Sequence, residues 1–363
     1  MPLVLLRFAV LQEMIGRPPP MANTFQRFST RLTAPFGRVL SPAFGLLLCG
    51  SLLLPSAGIA QSTPKAAKKP VAAKVSTKQS KGVADFTKDG QPNVISHAAM
   101  VFDQATGRQL YAKNAEMVVP IASITKLMTA MIVLDAKQNL DEPVIIDAAD
   151  IDTLKNSRSR LPVGTAFRRE DLMRLALMAS DNRAAAALGR TYPGGMAVAV
   201  EAMNAKAQSL GLQSTHFVDP TGLAPGNVAS AQDLALMVAE ASKHEQIREF
   251  STAPELYVTL PNSKHAMGFN NTNALVKSEG WNIGVSKTGF INEAGKCLVM
   301  QAIIGNVPVV IVLMDSWGKL TRIGDANRVK KWIESGKFAL AQSAPLAPQM
   351  LPVVGVTKPA IQF

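Results

Sequence analysis

With 47% hydrophobic and 18% charged residues over 363 positions, the chain has the composition of a globular protein able to bury a large core in one domain or two. Its net charge of +12 is strongly basic, but much of that excess lies in residues 1–88 and need not describe the folded part. Nucleic acid is disfavoured as a partner because the basic stretch carries no interleaved aromatics.

Residues 1–60 have the pattern of an export signal with a long leading region. Arg27, Arg31 and Arg38 precede an apolar run at 44–54, followed by Pro55 and the small-residue site Gly58-Ile59-Ala60. Cleavage is expected after Ala60, with Met21 as an alternative start and an uncleaved anchor as the alternative to cleavage. The apolar run is short for a membrane span. From Ser62 to Lys88, seven lysines face one acid, Asp85, in a stretch of Ala, Pro, Ser and Thr that cannot form a core. A flexible basic linker over 61–90 is expected, with weak attraction to an anionic membrane or wall surface as its functional reading. Cys297 alone would survive signal removal, in a run that reads as a buried strand. None of His97, His216, His244 and His265 has metal-ligand spacing to another His or Cys, so neither a metal site nor a cofactor is expected.

The folded domain is expected over 91–340. Two short strands, 98–102 and 109–113, flank the turn Asp103-Gln104-Ala105-Thr106-Gly107. Residues 120–134 read as a buried helix, then a mostly helical stretch runs to about 243, with helices near 170–179, 183–189, 194–210 and 231–243. Strands follow at 282–289, 296–304 and 307–315, and a helix over 324–340 closes the domain. Residues 341–363, with four prolines, read as a tail. The expected fold is α+β: one antiparallel sheet assembled from both chain ends with flanking helices, an inserted helical lobe, and a cleft between the two.

The helix at 120–134 contains a lysine where an apolar residue would be expected. Lys126 follows Ser123 by three positions, so the two side chains share a helix face. Burial favours the neutral amine, which can accept the serine proton and make the hydroxyl a nucleophile. Ser-x-x-Lys also occurs at Ser62 and Ser316, so the spacing alone is weak, and Ser123 also reads as a plain helix cap. Two further motifs raise its weight. Ser180-Asp181-Asn182 interrupts the helical run, and Lys287-Thr288-Gly289 places a lysine and a glycine inside an apolar strand.

Ser-x-x-Lys, Ser-Asp-Asn and Lys-Thr-Gly, in this order and 57 and 107 residues apart, form the set found in serine penicillin-binding proteins and class A β-lactamases. Over about 94–340 the chain resembles the D-alanyl-D-alanine peptidases of the S11 family. Pro120-Ile121-Ala122-Ser123, the segment from His216 to Leu223, and the segment from Gly284 to Phe290 are similar to family segments. The resemblance implies a β-lactamase/transpeptidase-like fold and an acyl-enzyme on Ser123, with Lys126 as base and Ser180 relaying a proton to the leaving amine. Asn182 would hold Lys126 and the substrate backbone, and Thr288 would bind polar substrate groups. Lys287 would add positive charge that keeps Lys126 neutral and attracts an anionic peptide. Gly289 would allow close approach, the N–H groups of Ser123 and Phe290 would form an oxyanion hole, and Arg322 would clamp a carboxylate. Peptidoglycan peptides are the implied substrates and β-lactams the implied covalent inhibitors, in the periplasm. The segment from Lys287 to Gly295 is most similar to D,D-endopeptidases of the penicillin-binding protein 7 type. Carboxypeptidase is the alternative, followed by β-lactamase, whose Glu-x-x-Leu-Asn signature is missing, and a non-catalytic wall-binding protein.

Overall fold

The computed structural model describes residues 83–259, 266–318 and 320–338. The expected signal, most of the linker and the tail lie outside the described residues. In chain order the elements are β1 (Ala98–Asp103), β2 (Arg108–Lys113), β3 (Val119–Pro120), α1 (Lys126–Asp135), β4 (Pro143–Ile145), β5 (Ala166–Arg168), α2 (Arg169–Met178), α3 (Asn182–Arg190) and α4 (Gly195–Ser209). They continue with β6 (Val228–Ala229), α5 (Ala231–Ala241), α6 (Glu245–Thr252), β7 (Glu255–Thr259), β8 (Ala266–Asn270), β9 (Asn282–Ile291), β10 (Gly295–Ile304), β11 (Val307–Ser316) and α7 (Thr321–Glu334).

The main sheet has the order β2-β1-β11-β10-β9 and is antiparallel throughout. Both chain ends therefore contribute to it, as the hairpin and the meander in the sequence predict. The hairpin turn is built by Asp103, whose carboxylate accepts from the Ala105 and Thr106 N–H groups, with Gly107 at φ 73°. The three long strands are apolar on both faces because both are covered. One face packs against the helical lobe, where Leu127, Met131, Leu172 and Val238 join Val299 and Val312 in one core. On the other face, Ala99, Leu298 and Ile311 pack with Val329 and Trp332 of α7.

Boundaries differ where local backbone chemistry overrides periodicity. Helix α7 begins three residues before the expected start and ends at Glu334, with Gly336 in the left-handed region at φ 69° just beyond. Asp85 and Phe86, which the composition assigns to the linker, contact α7 and its extension: the Asp85 carboxylate pairs with Lys331 and the Phe86 ring lies under the Lys337 amine. Among residues assigned no element from the sequence, Glu245–Thr252 form α6, and Glu255–Thr259 and Ala266–Asn270 form the antiparallel pair β7 and β8.

Trp332 is fully buried, edge-on to Tyr111 and Phe338. Trp332→Ala should lower unfolding free energy by about 3–5 kcal/mol through lost transfer energy and a residual cavity. Urea denaturation followed by circular dichroism checks this, and a loss under about 1 kcal/mol would show that α7 is not an integral layer.

Candidate active site

The chain enters the site through β3, which pairs with β6, and Ile121 N–H donates to the Asn227 carbonyl at 3.0 Å. Ser123 is not in the α-helix predicted over 120–134. It lies in a 3₁₀ turn (Ala122–Thr125), and the α-helix begins at Lys126. Nor is Ser123 a helix cap, since that position falls to Thr125 and no side-chain capping bond is made. The turn is tight because Ala122 takes φ 49°, a conformation that costs a non-glycine residue on the order of 1 kcal/mol.

The turn still brings the pair together: Lys126 Nζ lies 2.7 Å from Ser123 Oγ. Lys126 is 1% exposed, and Nζ also donates to Asn182 Oδ1 and to the Thr221 carbonyl, both at 2.6 Å. Burial pushes its pKa down to about 7, against the opposing pull of the Asp219, Asp181 and Asp152 carboxylates. A neutral amine has two N–H groups and one lone pair. With the two N–H groups taken by Asn182 and Thr221, the lone pair faces Ser123 Oγ, ready to accept its proton.

Ser180 is aimed by a break between two helices. α2 ends at Met178, Asp181 caps α3 by accepting from Ala184 N–H at 2.9 Å, and Ser180 between them takes φ 58°. Its Oγ accepts from Lys287 Nζ at 2.8 Å. Asn182 Nδ2 donates to Ser157 Oγ at 2.8 Å, which fixes the amide with Oδ1 toward Lys126. Lys287, 1% exposed, also donates to the Thr288 carbonyl, and Thr288 Oγ1 donates to Thr272 Oγ1 at 2.7 Å. Gly289 is required on β9 because a Cβ there would stand 2.8 Å from the Ile121 carbonyl and 3.2 Å from Ala122 Cβ. Its absence lets the edge strand approach the nucleophile turn.

A family model described as Peptidase S11, D-alanyl-D-alanine carboxypeptidase, matches residues 85–318. The chain belongs to this family. It is 45% identical over 254 residues to a D-alanyl-D-alanine endopeptidase of Pseudomonas aeruginosa, covering 70% of this chain and 82% of that one. To an Escherichia coli D-alanyl-D-alanine endopeptidase it is 44% identical over 264 residues, covering 73% and 85%. Among solved structures it resembles a Streptomyces DD-transpeptidase, with TM-score 0.62, 28% identity and coverage of 66% and 97%. A D-alanyl-D-alanine carboxypeptidase of Mycobacterium tuberculosis gives TM-score 0.60 at 26% identity, covering 71% and 94%. The penicillin-binding peptidase fold implied by the three motifs is thus the fold of this S11 peptidase.

Burial is the first cause of the lowered Lys126 pKa, as the apolar run around it predicts. Lys287 is itself pushed well below the ordinary lysine range, first by burial and then by the Lys126 and Arg322 cations. An arriving carboxylate would favour its charged form. Arg322, in the first turn of α7, donates from Nη1 to the Gly289 and Cys297 carbonyls at 3.2 Å each, so it braces β9 beside the Lys-Thr-Gly segment. Cys297 is buried with its thiol pushed up to about 11 by burial, which suits a strand residue and not a nucleophile. In Glu201-Ala202-Met203-Asn204, one residue short of the missing Glu-x-x-Leu-Asn signature, Glu201 is exposed on α4 and Asn204 is engaged with the Phe217 backbone.

Three supports in this S11 peptidase carried no assigned role in the sequence. Ser157 orients Asn182, Thr221 supplies the carbonyl on Lys126, and Asp219 holds that carbonyl in place. The Asp219 carboxylate accepts from the N–H groups of Thr221 at 2.6 Å, Gly222 at 2.8 Å and Ala224 at 3.0 Å, and from Asn227 Nδ2 at 2.5 Å. An Asp followed by Pro and a Gly is a turn signal, and this turn presents the carbonyl. Gly222, at φ 79°, touches the nucleophile turn so closely that a Cβ would fall 1.9 Å from the Ala122 carbonyl oxygen and 2.9 Å from Ser123 N.

Gly222→Ala should therefore displace Ser123 and reduce penicillin acylation by about a hundredfold, the scale of an ångström misplacement. Stopped-flow acylation of a variant that still unfolds cooperatively checks it; a near-normal rate would show that the contact relaxes without moving the serine. The second-order acylation rate should also rise with pH through about 7 and level off above, because the neutral amine predominates above that value. A profile flat between pH 5 and 8 would show that proton transfer to Lys126 does not limit acylation.

Proposed function

We propose that this S11 peptidase is a D-alanyl-D-alanine endopeptidase that opens peptidoglycan cross-links through an acyl-enzyme on Ser123. The observation carrying the chemistry is the buried Lys126 amine 2.7 Å from Ser123 Oγ, with its two other partners fixed. Endopeptidase specificity is supported by the 44–45% identity to two proteins bearing that name.

Ser123 Oγ attacks the carbonyl of a D-alanine-type residue as its proton passes to Lys126. The backbone N–H groups of Ser123 and Phe290 hold the developing oxyanion. Ser180, bridged to Lys287, delivers a proton to the leaving amine. Asn182 holds Lys126 and the substrate backbone, while Lys287, Thr288 and Gly289 on the edge strand line up the peptide. Arg322 keeps β9 in position and adds positive charge toward a carboxylate. Water then releases the acyl group. β-Lactams acylate Ser123 in the same way. The signal-like segment at 1–60 supports export to the periplasm, and the basic linker supports weak contact with an anionic surface. Among the described residues no helix is long and apolar enough to cross a membrane.

A carboxypeptidase reading is favoured by the family description itself. Digestion of purified sacculi, with fragments separated by mass, distinguishes the two. Loss of cross-linked dimers is expected; loss of terminal D-alanine with dimers untouched would sink the endopeptidase reading. Ser123→Ala should abolish both cleavage and covalent penicillin labelling, and a retained label would place the nucleophile elsewhere.

A further inference from the structure

Just past the Lys-Thr-Gly segment, the rim of the main sheet opens into a groove of about 350 Å³. Phe290 and Trp317 form its apolar walls, and Asn292, Lys296, Asp315 and Ser316 supply polar groups. The aromatics are unusually bare for their size: Phe290 is 55% exposed and Trp317 87%. Lys296 Nζ stands 4.7 Å from the Phe290 ring centroid.

The backbone is shaped to open this space. The β10–β11 register shifts between Lys296 and Leu298, and Asp315, on the longer side of that bulge, takes φ 48°. Gly295 opposite, at φ 61°, leaves the room occupied by the carboxylate, since a Cβ there would lie 2.3 Å from Asp315 Oδ1. His97 Nδ1 holds the other oxygen at 3.0 Å. Bulges often re-aim a side chain beside an active site, and a left-handed Asp is a local cost that the surrounding structure must sustain.

We infer that this groove is a saccharide subsite that holds an N-acetylated amino sugar of the glycan strand carrying the scissile peptide. The inference rests on the peptidoglycan reading above. A pyranose ring offers a C–H face that stacks on an aromatic side chain and a rim of hydroxyl and acetamido groups that need donors and acceptors. The groove provides both, with Lys296 and Asp315 of opposite sign among its described lining residues. A bilayer-contacting surface would instead be apolar between its aromatics, without a carboxylate and an amine in its lining.

Distance favours the same occupant. Phe290 belongs to both regions: its backbone follows Gly289 in the catalytic strand, and its side chain walls the groove. From β9 to β11 is two strand spacings, about 9.5 Å. A peptide stem of about four residues spans at most about 13 Å, so a stem lying along β9 can carry a sugar across to the β11 side of the groove.

The test uses full-length protein with Ser123→Ala, to prevent turnover, and chitotetraose as the probe. Saturable quenching of tryptophan fluorescence is expected, and it should disappear when Trp317→Ala is added and return in part with Trp317→Phe read by calorimetry. No saturable signal, or the same signal without Trp317, would overturn the proposal. A response of Trp317 to anionic phospholipid vesicles but not to chitotetraose would overturn it in favour of a membrane contact. In the active enzyme, Trp317→Ala should raise KM about three- to tenfold for disaccharide-bearing cross-linked dimers, the scale of one aromatic contact, and leave kcat unchanged. The same dimers stripped of sugar should be cleaved equally by both forms, and penicillin should label both equally; equal losses with and without sugar would also overturn it. Should neither dimer be cleaved by the unmutated protein, the endopeptidase reading fails, while the chitotetraose titration still decides the subsite.

Discussion

A lysine amine buried in a protein must have partners in both of its charge states, and the site around Lys126 is arranged to meet that constraint. As an ammonium it has three acceptors within 2.7 Å: Ser123 Oγ, Asn182 Oδ1 and the Thr221 carbonyl. As an amine it keeps the latter two and receives a hydrogen bond from the serine. Nothing must rotate between the two states, so proton transfer carries little reorganisation cost. The same burial that lowers the lysine pKa to about 7 would be destabilising if any of the three partners were absent.

The remaining architecture keeps those partners from moving. Asn182 is fixed by Ser157, Thr221 by the Asp219 turn, and the turn carrying Ser123 by Gly222 on one side and Gly289 on the other. Two glycines thus set the spacing of three segments, because each is a point where backbone meets backbone with no side chain between them. Sheet and helical lobe supply one wall each: Lys287 on β9 reaches Ser180 at the α2–α3 break. Strained positions at Ala122 and Ser180 lie in the same small volume. A site that holds both in the left-handed region spends stability gained in the two cores on catalytic geometry.

What could be read from the sequence was whatever the chemistry writes in side chains. Lys126 and Lys287 stood out because an amine inside an apolar run is a departure from pattern, whereas Ser123 and Ser180 read locally as helix caps and gained weight only from the three motifs in order. The sheet built from both ends was legible from the alternation of turns and apolar runs at 98–113 and 282–315. The Thr221 carbonyl was not, since a backbone oxygen has no residue signature, and its importance appears only when Lys126 is seen pointing at it. Periodicity predicted one helix through Ser123 because it does not register the close backbone contact from Gly222 that accompanies a 3₁₀ turn there. Arg322 was found by position, but its hold on the Gly289 and Cys297 carbonyls depends on how α7 crosses the sheet. The antiparallel pair β7 and β8 and helix α6 were missed because their segments are short and mixed in character, with tertiary packing deciding their form.

The sheet's topology also decides when this catalytic apparatus comes into being. Ser96 and Ser316, whose hydroxyls lie 2.6 Å apart next to the β1–β11 pairing, are separated by 220 positions in the chain. Ser180 and Lys287 are separated by 107. A chain emerging from a ribosome or a translocation pore holds Ser123 and Lys126 side by side almost from the outset, but the lysine is then in water, fully charged and unable to act as a base. Its three partners, Ser123, Asn182 and Thr221, all come before the last strands, but Lys287, which meets Ser180, comes only with them, and closing such long loops is slow. The two-walled cleft forms only when the carboxy-terminal meander closes the sheet and brings Lys287 to Ser180.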